Sequence, residues 1–508
     1  MKRLILPLLL AACVHGDGPA PGWQRLVQSR IVPSPQSIKV TGDGFYALRT
    51  GCAVEVVTPV AEAEVRALVN RDFARCWKAE PSLTIKEAAS TIIADGYRLK
   101  VTRDLCRIEA SDLGGIGNAL KTVRQIGESE RGVLKSLQVN VPCVEVEDFP
   151  VLPFRGMHFC LLPEYPAGRL ERDIRLAAYY KFNYAVIESW GVLRLDRHPE
   201  YSWDEYHITA DEMRRLVKVG KELGITLIPQ INLLGHASAS RHGSGKHVLL
   251  DQHPEYASLF EPDGWTWCIS NPATRKYLEE MVEETYEVFD KPPFFHVGCD
   301  EAYSLGKCQV CRRDIGAYFS EHLLHFQKFL SERGCRMMMW HDMLLDGSDP
   351  RWKGYTACGS KAVKSTEVMK SLPKDVLVCV WEYGYPQGED GSAPKWDSTI
   401  YFKDEGFDVL VCPWLNVPGI KAQAKLAGKE KFFGLLETTW HLSSLTSRME
   451  VLFALTSCYA WYPEHPLMGV ESSAMVNLHI RQVNQDLGAK SYHQFGSAAY
   501  QIPLHQSQ

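Results

Sequence analysis

The most regular feature of the sequence is an alternation of short apolar segments with amphipathic helical segments after residue 153. Apolar runs of roughly four to eight residues bounded by turn residues are typical of buried strands. Eight runs fit this description, at residues 154–159, 184–188, 225–230, 293–300, 335–340, 376–381, 409–413 and 434–439. Eight strand–helix repeats predict an α/β fold, a (β/α)8 TIM barrel, whose site lies at the carboxyl ends of the strands.

A smaller unit with a different pattern precedes the barrel. Residues 52–57 and 96–101 look like strands, whereas residues 61–75 and 117–126 have the character of helices. We therefore predict a small α+β domain, in which no residue is a candidate for catalysis. The predicted divisions are a signal segment (1–13), a flexible Gly/Pro-rich tether (14–30), the non-catalytic domain (31–147), the catalytic barrel (148–475) and a C-terminal helical tail (476–508).

Composition excludes one class of function. Of the 508 residues 45% are apolar and 23% are charged, as in soluble globular proteins, and the net charge of −5 is spread without long runs of one sign. A nucleic-acid-binding protein carries a basic patch, so we expect no nucleic-acid partner. The 13 Trp and 21 Tyr residues are a generous aromatic supply. Sugar-binding clefts use such rings to stack on pyranose faces.

The first residues have the pattern of a targeting signal. Two basic residues are followed by an apolar run and then by Leu10-Ala-Ala-Cys13, which resembles a bacterial lipobox in which Cys13 becomes the lipidated first residue. A plain signal peptide with an incidental Cys is the alternative. The segment is too short to span a bilayer. We therefore predict an exported protein at the cell envelope, in the periplasm or on the outer surface, whose contact with the membrane is an N-terminal lipid anchor.

One cysteine motif has the spacing of a metal site. Cys308-Gln-Val-Cys311 is half of a zinc site, and no second Cys or His pair of that spacing completes it. Cys268 and Cys299 could lie near it in space. A structural or redox-inert pair is the preferred interpretation, and no metal is predicted.

Polar and aromatic residues collect where the predicted strands end. Because the carboxyl ends of parallel strands open at one mouth, we expect these residues to converge there. A single Trp at such a position is equally consistent with a cap on the barrel core, but a ring of them is not. In chain order they are Arg155, Glu188, Trp190, Asn232, Gly235, His236, Asp300, Glu301, Trp340, Asp342, Trp381, Glu382, Trp414, Trp440 and His441.

The sharpest motif is His296-Val-Gly-Cys-Asp-Glu301 at the end of the fourth strand. An isolated Asp–Glu pair usually marks a solvated surface. Here the pair ends an apolar run. Neighbouring residues of a strand point to opposite faces, so both carboxyl groups can face one ligand only where the strand ends and the backbone turns. Asp300 and Glu301 are therefore the predicted catalytic residues.

This motif resembles the His-x-Gly-x-Asp-Glu hallmark of glycoside hydrolase family 20, the β-N-acetylhexosaminidases. Phe154-Arg-Gly is similar to the family's first barrel strand, residues 225–236 to its third, and Met339-Trp-His-Asp-Met343 to its fifth-strand end. The unit before residue 145 looks like the family's non-catalytic domain. Residues 296–306 look closest to the single-chain branch that resembles hexosaminidase D and streptococcal exo-hexosaminidases.

The resemblance implies a retaining, exo-acting enzyme that needs no cofactor and removes N-acetylglucosamine or N-acetylgalactosamine from a glycan by substrate-assisted catalysis. The 2-acetamido oxygen attacks C1 to form an oxazolinium ion. Glu301, with a raised pKa, acts as general acid and then as general base, while Asp300 orients the acetamido group.

The resemblance also implies substrate contacts. Arg155 would hold sugar hydroxyls, and Trp340, Trp381 and Trp440 would surround the acetamido group. For His236 and His296 a structural hydrogen bond is as good an interpretation as a substrate contact. The further candidates for substrate binding are Asp342 and Trp414.

The seventh strand end departs from the family pattern. Family members usually have a Tyr there that hydrogen-bonds the acetamido oxygen, whereas this chain reads Cys412-Pro-Trp-Leu-Asn416. Tyr383, Tyr385 or Tyr303 could supply the hydroxyl from another loop. If none does, the substrate carries a different 2-substituent or the oxazoline step is slower.

Two other functions stay open. One is a barrel glycosidase that acts on a hexoside without a 2-acetamido group. It would pair Glu301 with Glu188, Asp342 or Glu382, at a carboxyl separation of roughly 5 Å. The other is a non-catalytic surface protein that binds glycans in the same cleft. The intact Asp300–Glu301 pair argues against the second, because binding alone does not need both acids.

Overall fold

The computed structural model describes residues 21–129, 139–163, 165, 167–241, 243–352, 356–383, 396–440, 449–464 and 473–487. They form two compact units that divide between Pro150 and Val151, with residues 473–475 assigned to the first unit. The predicted signal segment, including Cys13, lies outside the described residues. No described helix is both long enough and apolar enough to cross a membrane.

The first unit is a mixed sheet with two longer helices, which confirms the predicted α+β domain. Its strands are β1 (Ser37–Leu48), β2 (Ala53–Thr58), β3 (Ser82–Glu87), β4 (Tyr97–Val101), β5 (Leu105–Ala110), β6 (Glu128–Ser129) and β7 (Val139–Asp148). They pair in the order β1-β7-β4-β5-β2-β3, and β6 also pairs with β7. The helices are α2 (Glu62–Trp77) and α3 (Leu113–Ile126). Asp112 caps α3 by accepting a hydrogen bond from the Gly115 amide.

The predicted tether is wrong for its second half, because residues Pro21–Ser29 form helix α1. The Gln24 side chain donates to Ile38 O at 2.9 Å and accepts from Val40 N at 2.8 Å. Val27 is fully buried. Its apolar contacts and the two hydrogen bonds fix the helix against β1, an arrangement that a Gly/Pro-rich composition does not reveal.

The second unit is a closed barrel of eight parallel strands, which confirms the predicted fold. The strands are β8 (Phe154–Leu161), β9 (Tyr184–Ser189), β12 (Thr226–Gln230), β13 (Phe294–His296), β14 (Arg336–Trp340), β15 (Leu377–Val380), β16 (Asp408–Val411) and β17 (Gly434–Glu437). The last strand pairs with the first, Leu435 standing opposite Arg155. Two short strands, β10 (Leu193–Arg194) and β11 (Ile208–Thr209), pair separately.

Helices connect the strands and cover the barrel. They are α4 (Ala167–Tyr179), α5 (Ala210–Leu223), α6 (Pro272–Val288), α7 (Ile315–Ser331), α8 (Ser365–Ser371), α9 (Asp397–Asp404), α10 (Val417–Glu430) and α11 (Met449–Trp461), followed by α12 (Ser473–Asp486). Helix α5 shows why such segments begin and end where they do. A Thr209–Glu212 capping box starts it, and Gly224 in the left-handed conformation ends it.

Alternate residues of the strands fill the barrel. Val186, Ile228, Met338, Leu377 and Leu410 are fully buried in one apolar cluster at its centre. Burying each such side chain contributes about 1.5 to 3 kcal/mol. This rigid floor supports the groups at the carboxyl ends of the strands.

Candidate active site

The backbone turns sharply after β13. The sequence predicts a strand that continues to Asp300, but the strand ends at His296. Gly298 (φ 63°), Cys299 (φ 70°) and Glu301 (φ 47°) then adopt left-handed conformations. Such conformations are uncommon outside glycine and cluster at functional sites. The turn explains how two adjacent residues, Asp300 and Glu301, come to line the same cavity.

Two glycines let this turn approach the loop after β12. A Cβ atom on Gly298 would lie 2.0 Å from the Asn232 side-chain oxygen, and one on Gly235 would lie 2.0 Å from the Asp300 carbonyl. Any larger residue at either position would push the two loops apart. The glycines therefore set the position of Asp300 relative to the loop that carries His236.

His236 joins the two acids. Its Nε2 is 3.2 Å from an Asp300 carboxylate oxygen and 3.4 Å from a Glu301 carboxylate oxygen. Burial alone would lower the pKa of His236, but the two carboxylates raise it to about 10. The ring packs between Trp190 and Trp265, at centroid distances of 5.2 and 4.6 Å. At neutral pH His236 is therefore an imidazolium that contacts both acids.

Asp300 retains an unused acceptor. Burial raises the pKa of Asp300, and the charged His236 opposes that rise. One carboxylate oxygen faces His236, but no donor among the described residues reaches the other, Oδ1. A buried acceptor without a donor is costly, and such a group is expected where a ligand supplies the donor.

Glu301 is held through its backbone. Its amide donates to Asp342 Oδ2 at 2.9 Å, and its carbonyl accepts from Trp265 Nε1 at 2.7 Å. The side chain is one-third exposed, whereas Asp342 is fully buried. Burial, followed by repulsion from Asp300, raises the pKa of Asp342 well above its usual range. Asp342 thus positions Glu301 through the Glu301 backbone amide and does not line the cavity.

The two acids lie in a cavity of about 450 Å³, a size typical of small-ligand sites. Four Trp rings form much of its wall, and an Arg and a Tyr add polar groups. The lining residues are Trp190, His236, Arg241, Asp300, Glu301, Trp381, Tyr383, Trp414 and Trp440. Of the residues predicted for catalysis and substrate binding, the structure therefore brings together both acids, His236, Trp381, Trp414 and Trp440, and Trp190 joins them from the wider set at the strand ends.

Tyr383 puts a phenol into this cavity. Its ring lies 5.9 Å from Trp381 and 5.4 Å from Trp414, and its Oη accepts a hydrogen bond from Trp440 Nε1 at 2.6 Å. Burial raises the pKa of Tyr383 well above its usual range, so the phenol keeps its proton. Of the alternatives, Tyr303 is 54% exposed and stacks on Trp265 outside the cavity. Tyr385 and His441 lie outside the described residues.

A buried polar layer lies beneath the cavity. Glu188 accepts hydrogen bonds from His158 at 2.9 Å and Asn232 at 2.8 Å. Burial by itself would raise the pKa of Glu188, but these bonds lower it to about 2. Trp340 and His296 are fully buried with their rings 4.3 Å apart, and burial lowers the pKa of His296 to about 3. These two predicted substrate contacts instead form the floor of the site.

Comparison with known proteins assigns the family. The profile described as "Glycosyl hydrolase family 20, catalytic domain" matches residues 184–401, and the profile "Glycosyl hydrolase family 20, domain 2" matches residues 28–149. The chain belongs to glycoside hydrolase family 20. The predicted resemblance is therefore confirmed, and it extends to the domain that precedes the barrel.

Individual relatives are similar to this chain at low identity. A β-hexosaminidase from Vibrio furnissii is 26% identical over 381 residues, 67% of this chain and 61% of that protein. One from Akkermansia muciniphila is 24% identical over 339 residues, 58% of this chain and 65% of that protein. The chain thus spans less than two thirds of either relative.

A solved family 20 structure shows the same fold. The exo β-N-acetylglucosaminidase from Vibrio harveyi, in complex with N-acetylglucosamine, superposes with a TM-score of 0.67 at 16% identity. The match covers 93% of this chain and 79% of that one.

Arg155 is not in the family 20 site. It is the second residue of β8, at the amino end of the barrel, and it is almost fully buried. Its guanidinium donates to the carbonyls of Lys181 (3.1 Å) and Leu152 (2.9 Å) and lies over the Trp461 ring. The predicted contact with sugar hydroxyls is therefore wrong.

Arg241 is the arginine that lines the cavity, and sequence reasoning missed it. It lies in the long loop between β12 and α6, which carries no periodic signal. Arg241 also lines a second cavity of about 530 Å³ whose walls include Trp203 and Tyr206. The two cavities therefore share this side chain.

The alternative carboxylates are all engaged outside the cavity. Glu188 is bonded within the polar layer, and Asp342 holds the Glu301 amide. Glu382 is buried and accepts from Ser398 Oγ at 2.6 Å. Among the residues that line the family 20 cavity, the carboxylates are therefore Asp300 and Glu301.

Proposed function

We propose that this family 20 protein is an exo-acting, retaining β-N-acetylhexosaminidase that releases terminal N-acetylglucosamine or N-acetylgalactosamine from glycans. The observation that carries the proposal is the Asp300–Glu301 pair, in which both acids contact His236 and Asp300 Oδ1 has no donor among the described residues. A 2-acetamido N–H is such a donor. Positive charge develops on the acetamido nitrogen when the acetamido oxygen attacks C1, and a fixed carboxylate stabilises that charge.

The reaction proceeds in two displacements. First the acetamido oxygen bonds to C1 while the glycosidic C1–O bond breaks, and Glu301 donates its proton to the leaving oxygen. An oxazolinium ion results, with its charge facing Asp300. Glu301 then removes a proton from water, whose oxygen attacks C1 and opens the ring. Two inversions at C1 give net retention.

Tyr383 supplies the donor that the seventh strand lacks. Tyr383 lines the cavity, and its Oη accepts from Trp440 Nε1. A phenol at this position can hold the acetamido oxygen in line with C1. The faces of Trp381, Trp414 and Trp440 provide the apolar surface for the acetamido methyl and the sugar ring.

The cavity favours a terminal sugar. Its volume of about 450 Å³ suits one acetamido sugar and not a chain of them. Arg241 lines the cavity, and a guanidinium fork suits vicinal hydroxyls, so we assign to it the contact predicted for Arg155. The neighbouring cavity beyond Arg241 would take the rest of the glycan.

Hydrolysis of aryl β-N-acetylglucosaminide and β-N-acetylgalactosaminide tests the proposal. We expect Glu301→Gln and Asp300→Asn each to lower kcat by about 10²-fold or more. The control Asp211→Asn alters an exposed acid on α5 and should leave kcat unchanged. A thiazoline mimic of the intermediate should inhibit the wild type. Cleavage of a plain hexoside without cleavage of either N-acetyl substrate would refute the proposal and favour the two-carboxylate glycosidase.

We also propose that the protein is exported and anchored by lipid on Cys13. The Leu10-Ala-Ala-Cys13 pattern supports this location, which would give the enzyme access to extracytoplasmic glycans. Labelling with a fatty-acid analogue tests it. The wild type should incorporate label and sediment with membranes, whereas Cys13→Ser should do neither.

A further inference from the structure

Three cysteines and a glutamate converge outside the cavity. One side-chain ligand atom each from Glu261, Cys268, Cys308 and Cys311 lies within 4.8 Å of all the others. The Cys268 sulfur is 3.7 Å from that of Cys308 and 3.8 Å from that of Cys311. Ligand atoms about 2.3 Å from a tetrahedral zinc ion are themselves roughly 3.7 Å apart. The two distances from the Cys268 sulfur therefore match the spacing of a zinc site.

We propose that these four residues bind a structural zinc ion. Thiolates and a carboxylate are normal zinc ligands, and a site in which protein fills all four positions is structural and not catalytic. The third thiol, which the Cys308–Cys311 motif lacked in sequence, comes from Cys268, 40 residues before Cys308. Cys299, the other candidate, donates instead to the Val297 carbonyl. The proposal departs from the sequence-based preference for a metal-free cysteine pair.

Backbone amides support the ligands. The Cys311 amide donates to the Cys308 sulfur at 3.2 Å. The Glu261 carboxylate accepts from the amides of Gly306 at 3.3 Å and Cys308 at 2.5 Å. Hydrogen bonds of this kind orient metal ligands and disperse their negative charge.

The burial of Glu261 distinguishes this cluster from a chance group of thiols. Glu261 is 1% exposed, and in the described part of the chain no Lys or Arg forms an ion pair with it. A buried carboxylate without a cation is unfavourable, and a metal ion compensates it. A disulfide between two of the three thiols would leave the Glu261 carboxylate buried without a cation.

The cluster links two segments that hold Glu301. One segment carries Glu261 and Cys268 and includes Trp265, which donates to the Glu301 carbonyl. The other runs from Glu301 to Cys311, and its Ser304 hydroxyl donates to Thr266 at 2.8 Å. A zinc ion would cross-link the two segments close to the catalytic turn. This inference does not rest on the proposed function, because the four ligands do not line the cavity.

Metal analysis of the purified full chain tests the site. We expect about one zinc per chain. Cobalt exchanged into the protein should give the thiolate-to-metal charge-transfer band of a tetrahedral site. Cys268→Ser and Cys311→Ser should remove zinc. Glu261→Gln keeps the volume of the side chain and should weaken zinc retention against a chelator by about tenfold or more. Cys76→Ser, a half-buried thiol on α2, should retain zinc fully.

Removing zinc from the wild type with a chelator tests the site without any substitution, so the test still holds if a variant fails to fold. Removal of zinc should lower the melting temperature, and zinc, but not magnesium, should restore it. The proposal is overturned if the wild type neither contains zinc nor takes it up after reduction. It is also overturned if peptide mass analysis finds a disulfide among the three cysteines and no metal. Activity on aryl substrates is not used as the readout, so failure here leaves the proposed function intact.

Discussion

The substitution Tyr383→Phe isolates a single hydroxyl in the cavity. The phenyl ring should keep its contacts with Trp381 and Trp414, at 5.9 and 5.4 Å. Only Oη is lost, with the hydrogen bond it accepts from Trp440 Nε1. The change therefore removes the proposed donor to the acetamido oxygen without opening a cavity in the core.

The expected effect on the rate exceeds the effect on stability. Removing one preorganised donor at a reacting oxygen costs about 2.7 to 4 kcal/mol, or about 10² to 10³ in kcat. Removing the acceptor of the Trp440 N–H costs about 1 to 3 kcal/mol of folding free energy. KM should change little, because ring stacking binds the ground state and the hydroxyl acts on the attack of the acetamido oxygen.

Steady-state kinetics on aryl β-N-acetylglucosaminides measure this directly. Substrates with fluorinated N-acyl groups add a second readout, since a poorer acetamido nucleophile slows the wild type. Tyr318→Phe is the control, because that half-buried ring lies on α7 and does not line the cavity. If Tyr383→Phe lowers the melting temperature but keeps kcat within about threefold of the wild type, the phenol has no catalytic role.

Three further predictions concern the catalytic turn and its partners. Glu301→Gln should lower kcat less for a dinitrophenyl than for a methylumbelliferyl glycoside, because the better leaving group needs no proton; an equal loss would contradict its role as acid. The pKa of His236, about 10 when folded, lies above its ordinary 6.5, so the stability it adds is complete below 6.5 and is lost as pH rises through 10. The melting temperatures of wild type and His236→Gln should converge over that interval, and a constant difference would argue against the charge. Gly298→Ala should lower the melting temperature and activity far more than Gly334→Ala. Both have left-handed φ, but an added Cβ meets Asn232 at 2.0 Å at the first and nothing within 4 Å at the second.

The barrel could be predicted because each buried strand is a short apolar run with a helix after it. This pattern is a local consequence of burial on both faces of a parallel sheet. The predicted fourth strand runs four residues too far at its carboxyl end, since hydrophobicity continues through Val297 and Cys299 although the strand ends at His296. Only the left-handed backbone at Gly298 and Cys299 separates strand from turn, and apolar character does not encode it. For the same reason, the Gly/Pro-rich composition before residue 23 did not predict helix α1.

The errors at the site have a geometric cause. Arg155 precedes the end of β8 at Leu161 by six residues, or roughly 20 Å along a strand. It was assigned to the correct strand, but it lies at the amino end of the barrel and the site lies at the carboxyl end. Arg241, by contrast, reaches the cavity from a long loop. Strand periodicity specifies which residues face inward and at what height. It carries no information about which loop residue folds back over the mouth. Substrate contacts from the long loops of such a barrel can therefore be identified only from the structure. The acids at the end of a strand can be predicted from the sequence.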